Sequence, residues 1–234
     1  MPGLTDSLSN RDLILPYFLP YFAYVGIASV PDNIISIEFN YLLRIFIVSG
    51  LIVWARQWFF PLSFSGTRIK SIVWGVAAGL AGFVIWCLLL FPFLDSPQGD
   101  PWSTQGFLLR IFAAGLLVPV FEELAIRGYV LRVALQWDNA RKNKEKDALL
   151  KALDEASVFD VKRGDWTWPA VLISSLAFTL GHTVVEWAAA FSYSLLISWV
   201  WVKRGDLLSC MVAHGTTNIV LALFVFITGM WGFW

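Results

Sequence analysis

The sequence predicts an all-α, polytopic transmembrane helix bundle of about seven spans with its N-terminus inside, and three observations predict it. Apolar residues make up 58% of the chain and charged residues 15%, against roughly 45–50% and 25% in soluble globular domains. Apolar runs of span length recur, and one of them, SIVWGVAAGLAGFVIWCLLLFPFL at 71–94, carries no charge. The basic residues segregate as well. With alternate loops assigned to opposite sides, the segments 1–12, 56–70, 132–165 and 203–206 hold 14 Lys or Arg, while the loops on the other side hold none. Only Arg44, Arg110 and Arg127 fall inside spans. Lys and Arg accumulate on the cytoplasmic side of membrane proteins, so those 14 mark the inside.

A bilayer span needs about 20 mostly apolar residues, and the chain divides accordingly. The first span is read at 13–30. The lead MPGLTDSLSNRD carries one Arg and two Asp, and Pro16 and Pro20 interrupt the apolar run. A cleavable signal has a more basic lead, so this span is expected to be retained. Further spans follow at 39–55, 71–94 and 107–131. The apolar stretch from Trp166 to Val202 is 37 residues long, too long for one crossing and suited to two, 166–183 and 187–202, with GHTVVE as the turn. The last span is 207–233. Residues 1–234 are thus expected to form a single integral-membrane domain. Its charged cytoplasmic loop, 132–165, holds 15 of the 34 Asp, Glu, Lys and Arg residues. Within that loop NARKNKEKDALLKALDEA reads as a solvated helix on the membrane surface. No basic face survives once the acids are counted, which argues against nucleic acid as a partner. Cys87 and Cys210 lie in apolar runs and offer no disulfide framework.

Against this background the polar residues within spans stand out, because a charge at the centre of a bilayer helix costs about 2.5–3.5 kcal/mol even on the lenient scale. In PVFEELAIRGYV, Glu123 and Arg127 are spaced i, i+4 and share a helix face, with the acid first as favoured. Glu122 is turned about 100° away and needs a partner from another helix. It is either one half of an interhelical structural pair or an acid available for general-base work. LISSLAFTLGH places Phe178 and His182 at i, i+4, and CMVAHGTTN places His214 and Asn218 likewise. These are the only two histidines, and each alone would read as a hydrogen-bonded packing residue. Two imidazoles, an acid and an amide from three spans read instead as a site. Glu186, four residues after His182, is a candidate to hold that imidazole.

The order E-E-x-x-x-R, F-x-x-x-H, H-x-x-x-N, each in a hydrophobic segment, resembles the CPBP family of intramembrane proteases, which includes the Ras-converting CAAX prenyl proteases and the bacterial Abi proteins. EELAIRGYV, SSLAFTLGH and AHGTTN carry the resemblance, over a core of about 107–222. Two departures are the small Ala125 before Ile126 in the first motif and the long charged loop after it. The resemblance implies an endopeptidase of the glutamate type without a cofactor. In it Glu122 and His182 activate water, His214 and Asn218 stabilise the oxyanion, and Glu123, Arg127 and Phe178 support them. The implied partner is a peptide or membrane-protein substrate, lipidated in part of the family, and the implied location is the bacterial inner membrane.

Alternatives remain open at this point. Glu122, His182 and His214 would make a zinc ligand set, although the chain lacks H-E-x-x-H. A transporter or a non-proteolytic scaffold on the same fold is the other class, although no repeat symmetry of the transporter kind is visible. One geometric expectation conflicts with the site. Counted along the spans, Glu122 and His214 lie toward the inner surface, whereas a turn at GHTVVE puts His182 toward the outer one.

Overall fold

The structure is a computed structural model that describes residues 8–62, 68–94 and 101–234. Among them every regular element is helical. Helix α1 is Asn10–Ala28, α2 Ile37–Ala55, α3 Arg68–Leu90 and α4 Thr104–Phe112. One long rod then continues as a π-helical stretch Ala113–Leu117, α5 Val118–Glu123, a second π-helical stretch Leu124–Val130, and α6 Leu131–Lys142. Next come α7 Ala148–Asp154, α8 Trp168–Thr179, α9 Trp187–Arg204 and α10 Leu207–Thr228. Each expected span overlaps a helix. By length and composition alone, four helical stretches suffice to cross a membrane: Ile37–Trp58, Arg68–Phe93, Val184–Arg204 and Leu207–Thr228.

Local chemistry sets the boundaries. Ser9 starts α1 with a reciprocal capping box to Asp12, and Ser36, Ser103, Thr167 and Asp206 each accept a backbone N–H from their own first turn. Such caps satisfy N–H groups that lack an intrahelical partner. Glycines in the left-handed region end α9 and α10, Gly205 at φ 63° and Gly229 at φ 69°, where only a residue without Cβ sits unstrained. Pro16 and Pro20 fall inside α1, which runs through them.

The charged segment differs from a single loop helix. The rod extends to Lys142, past the expected end of its span, and the chain reverses with Lys144 and Asp147 at positive φ before α7 begins. Buried polar contacts require this extension. Arg132 is fully buried and donates to the carbonyls of Val158 and Val161, while Asn10 donates to Gln136 and to the Ala152 carbonyl, tying α1 to α6 and α7. Arg11 pairs with Asp154. Asp138 pairs with Lys142 at 2.7 Å and Arg141 at 2.9 Å, and hydrogen bonding by Lys142 pulls its pKa down to about 2.

The other end of the bundle is aromatic. Trp102 packs on Trp231 and Trp234, Phe91 stacks on Phe233, and Phe107 lies 4.1 Å from Phe226. Lys and Arg gathered at one end is the polarity expected of a membrane-embedded bundle.

The seam between α3 and α10 positions the rest. Gly75 and Gly79 stand four residues apart in α3, and their backbone meets α10 directly. A Cβ on Gly79 would lie 2.5 Å from the Ala213 carbonyl oxygen, and Thr217 Oγ1 donates to the Gly79 carbonyl at 2.7 Å. Small residues at this spacing allow close helix approach where lipid supplies no hydrophobic drive. Substituting Gly79→Val should therefore cost about 1–3 kcal/mol of overpacking, read as a lowered melting temperature in detergent. Gly50→Val should leave melting almost unchanged, because nothing lies within 4 Å of that position. Equal melting of the two variants would contradict the seam.

Candidate active site

Three helical units bring the candidate residues to one cleft. Glu122 and Glu123 end α5, Phe178 lies in the last turn of α8 with His182 just beyond it, and His214 and Asn218 occupy successive turns of α10. A cavity of about 180 Å³ is lined by Glu122, Phe178, His182, His214 and Asn218, together with Trp86, Tyr193 and Thr217. That volume has room for several waters. All four expected catalytic residues line it, and the supporting Glu123 and Arg127 lie behind.

His182 reaches this depth because α8 is short. Its 12 residues rise only about 18 Å, short of a full bilayer core, and the turn that follows sets His182 against Trp86. The apolar run read as a span to 183 thus leaves the helix at Thr179, and the expected mismatch in depth closes. The turn is at GHTVVE as expected, but Glu186 does not hold the imidazole. Its carboxylate caps the Thr183 N–H at 2.9 Å and hydroxyl at 2.7 Å. His182 Nδ1 meets the Phe178 carbonyl instead, at 3.0 Å. A carbonyl only accepts, so Nδ1 carries the proton and Nε2 is left as the ring's free acceptor. Phe178 packs tilted against His182 with centroids 4.7 Å apart, and Trp86 lies 5.5 Å from the same ring.

Behind the cleft runs a buried chain of charges. Arg127 and Glu123 are both fully buried. Arg127 donates to Glu123 at 3.3 Å, and to the Ser194 carbonyl and hydroxyl at 2.9 and 2.7 Å. Glu123 Oε1 lies 2.9 Å from His214 Nδ1, and the opposite ring nitrogen, Nε2, faces Glu122 Oε2 at 3.8 Å. Adjacent glutamates thus have different tasks. Glu123 is matched by its own helix and orients an imidazole, while the Glu122 side chain stays 16% exposed to the cavity.

Asn218 is placed by a different device. In the first π-helical stretch the Val118 N–H donates to the Ala113 carbonyl, and residue 119, the i+5 donor that would serve Ala114, is a proline without an N–H. The orphaned Ala114 carbonyl accepts from Asn218 Nδ2 at 2.8 Å, leaving the second amide hydrogen of Asn218 for the cavity. Gly215 permits this approach: a Cβ there would overlap the Gly115 carbonyl oxygen.

Sequence reading missed Ser194, Tyr193, Trp86 and the Ala114 carbonyl. A signal existed for three of them. Tyr193 and Ser194 are polar residues in the apolar run of α9, and Pro119 sits in the middle of a helical pattern. Zinc would need side chains converging on one point. Among the described residues no group of three His, Cys, Asp or Glu side chains is so arranged. On the far side of Phe178 a second, largely apolar cavity of about 240 Å³ also borders Glu122, lined by Phe18, Tyr21, Phe22, Ile126 and Leu180.

A helical membrane bundle with a polar cleft assembled from α5, the α8–α9 turn and α10 defines the class of protein. The sequence model of the family described as type II CAAX prenyl endopeptidase, Rce1-like, matches residues 104–220. The chain belongs to that family. It is 24% identical over 127 residues to the UPF0177 protein YxdF of Lactococcus lactis subsp. lactis (strain IL1403), a match covering 53% of this chain and 55% of that protein. The chain thus spans about half the length of the curated relative it matches. No solved structure matches it.

Removing the guanidinium should be costly. Arg127→Ala would strand a buried carboxylate, at about 3–5 kcal/mol. Ser194→Ala, which removes one hydrogen bond to a charged group, should cost about 1.5–3 kcal/mol. Chemical unfolding in detergent measures both, and an Arg127→Ala protein as stable as wild type would contradict the relay.

Proposed function

We propose that this chain is an intramembrane endopeptidase of the glutamate type that hydrolyses a peptide bond with an activated water and no metal. The observation that carries the reading is the placement of Glu122, His182, His214 and Asn218, from three separate helical units, around one cavity with room for water. Membership of an endopeptidase family supports it.

In this mechanism a water sits between Glu122 and His182. Glu122 takes one proton, and the free Nε2 of His182 accepts the other hydrogen and orients the oxygen. As the water attacks the scissile carbonyl, negative charge builds on the carbonyl oxygen. The second amide hydrogen of Asn218 and a proton on His214 Nε2 meet that charge, and the Glu123 carboxylate on Nδ1 supports the charged ring. Protonated Glu122 then gives its proton to the departing amine. Proton transfer by a positioned carboxylate contributes about 10²–10⁴-fold, and donors aimed at a developing oxyanion count most where water is excluded. The apolar cavity beside Glu122 suits the apolar portion of a membrane-borne peptide, lipidated or not. A seven-span arrangement, with the charged end and the N-terminus in the cytoplasm of a bacterial inner membrane, completes the reading. The transporter and scaffold alternatives have no comparable support, since neither needs an amide and a carbonyl-oriented imidazole facing one carboxylate.

Glu122→Gln preserves shape and removes the base. Quantifying membrane-peptide termini in cells carrying wild type or Glu122→Gln should show cleavage products falling by about 10²-fold or more, with uncut precursors accumulating. Activity of the wild type in membranes should persist with a strong chelator. Identical termini in both strains, or chelator loss restored by zinc, would overturn the assignment.

A further inference from the structure

One buried donor on the wall of the cleft has no part in the proposed mechanism. Trp86 is only 8% exposed and lines the same cavity as Glu122, His182, His214 and Asn218. Among the described residues, nothing accepts a hydrogen bond from its Nε1–H. Buried indoles normally find a partner, and others in this chain do. Trp201, fully buried, donates to the Asp165 carbonyl at 3.4 Å, and Trp187 donates to the His182 carbonyl at 3.1 Å. Among the described residues Trp86 is the one tryptophan with a buried, unmatched Nε1.

The sequence of α3 puts the indole there. Ser71, Gly75, Ala78, Gly79 and Gly82 lie on the buried side of the helix, and their small size lets its backbone close on α9 and α10. A Cβ on Gly82 would lie 2.5 Å from the ring of Tyr193 in α9. Trp86 follows Gly82 at i, i+4 and so continues that face, where it is the first large buried side chain. Its ring centroid lies 5.5 Å from that of His182 and 6.1 Å from that of Tyr193. Three carbonyls at the cleft already accept hydrogen bonds: Gly79 from Thr217 at 2.7 Å, Ala114 from Asn218 at 2.8 Å and Phe178 from His182 at 3.0 Å. A buried donor left unmatched is costly, so its acceptor is a group that enters the cavity.

An indole N–H donates and never accepts, which defines the chemistry of that group. On the endopeptidase reading, on which this inference rests, the cleft receives a peptide, and every residue of a peptide brings a carbonyl. Asn218 and His214 meet the scissile one. The next carbonyls stand about 3.3 Å per residue further along an extended chain, beside the ring that faces His182. We propose that Trp86 Nε1–H donates to a substrate backbone carbonyl adjoining the scissile bond, and so sets the register in which the peptide lies in the cleft. Helix α3 is outside residues 104–220, which match the family, so the contact belongs to a part of this chain that the family match does not contain.

The test uses the full chain in proteoliposomes and a synthetic peptide spanning a cleavage site, taken from the termini that Glu122→Gln cells lose. Trp86→Phe keeps an aromatic ring beside His182 and removes the N–H. Replacing Trp86 by 3-benzothienylalanine keeps the whole bicyclic shape, with sulfur in place of N–H, and serves if Trp86→Phe does not fold. Either change should raise KM about tenfold and leave kcat within about twofold. Two further peptides carry a trans-alkene in place of the amide on one side or the other of the scissile bond. One of them should raise the wild-type KM about tenfold but add nothing to the KM of the Trp86 variants, because the hydrogen bond they would lose is already gone. Losses that multiply for both peptides, or an unchanged KM in a folded variant, would overturn the proposal and leave Trp86 a packing residue. A fall in kcat alone would overturn it too, by reducing the indole to a support for His182. Cells that lose no termini with Glu122→Gln would refute the endopeptidase reading and this proposal together, whereas the other adverse results refute the Trp86 contact alone.

Discussion

A fully buried guanidinium governs this molecule. Arg127 cannot be left unmatched inside an apolar bundle, and its matching draws three helical units together: Glu123 from its own helix, Ser194 from α9 and, through Glu123, His214 from α10. Once these contacts form, Glu122 has little choice of direction. It is one residue from Glu123, so it projects into the cleft that the relay has just walled. The stability of the bundle and the orientation of the imidazole are thus the same set of interactions, and disturbing one disturbs the other.

Close backbone approach completes the site. Gly79 lets α10 settle on α3, and Gly215 lets it settle on the first π-helical stretch. Neither contact is chemical, yet together they fix the depth and rotation of the helix that carries His214 and Asn218. Pro119 adds the missing acceptor, because a proline in a π register leaves the Ala114 carbonyl free for the Asn218 amide. An apparent defect in the rod becomes the device that orients the Asn218 amide. The short α8 plays a similar part for His182, since the helix ends at Thr179 and the turn that follows sets the imidazole between Phe178 and Trp86.

The helices and the site differ in how legible they were. Hydropathy showed where each apolar run lies, because a bilayer imposes its thickness on sequence. It did not show that the run through 183 ends as a helix at Thr179, since lipid-facing and cavity-facing residues are equally apolar. Spacing revealed the Glu123–Arg127 pair and the shared faces of Phe178 with His182 and of His214 with Asn218. Spacing is silent on Ser194, which lies 67 positions from Arg127, and on Ala114, whose carbonyl matters only because of the proline after it. Glu186 shows the limit from the other side: its spacing from His182 suggested a hydrogen bond, but a nearer backbone N–H and hydroxyl at Thr183 claimed it first. The rod's extension to Lys142 escaped notice because the charges that read as solvated loop include the buried Arg132.

The chain has only two histidines, so ¹⁵N-histidine labelling of the protein in nanodiscs reports on both rings without ambiguity. The account predicts a proton on Nδ1 of each: held by the Phe178 carbonyl in His182 and by Glu123 in His214, with only the His214 signal moved by Glu123→Gln. A neutral ring protonated at Nε2 in either residue, or a His214 signal indifferent to Glu123, would contradict it.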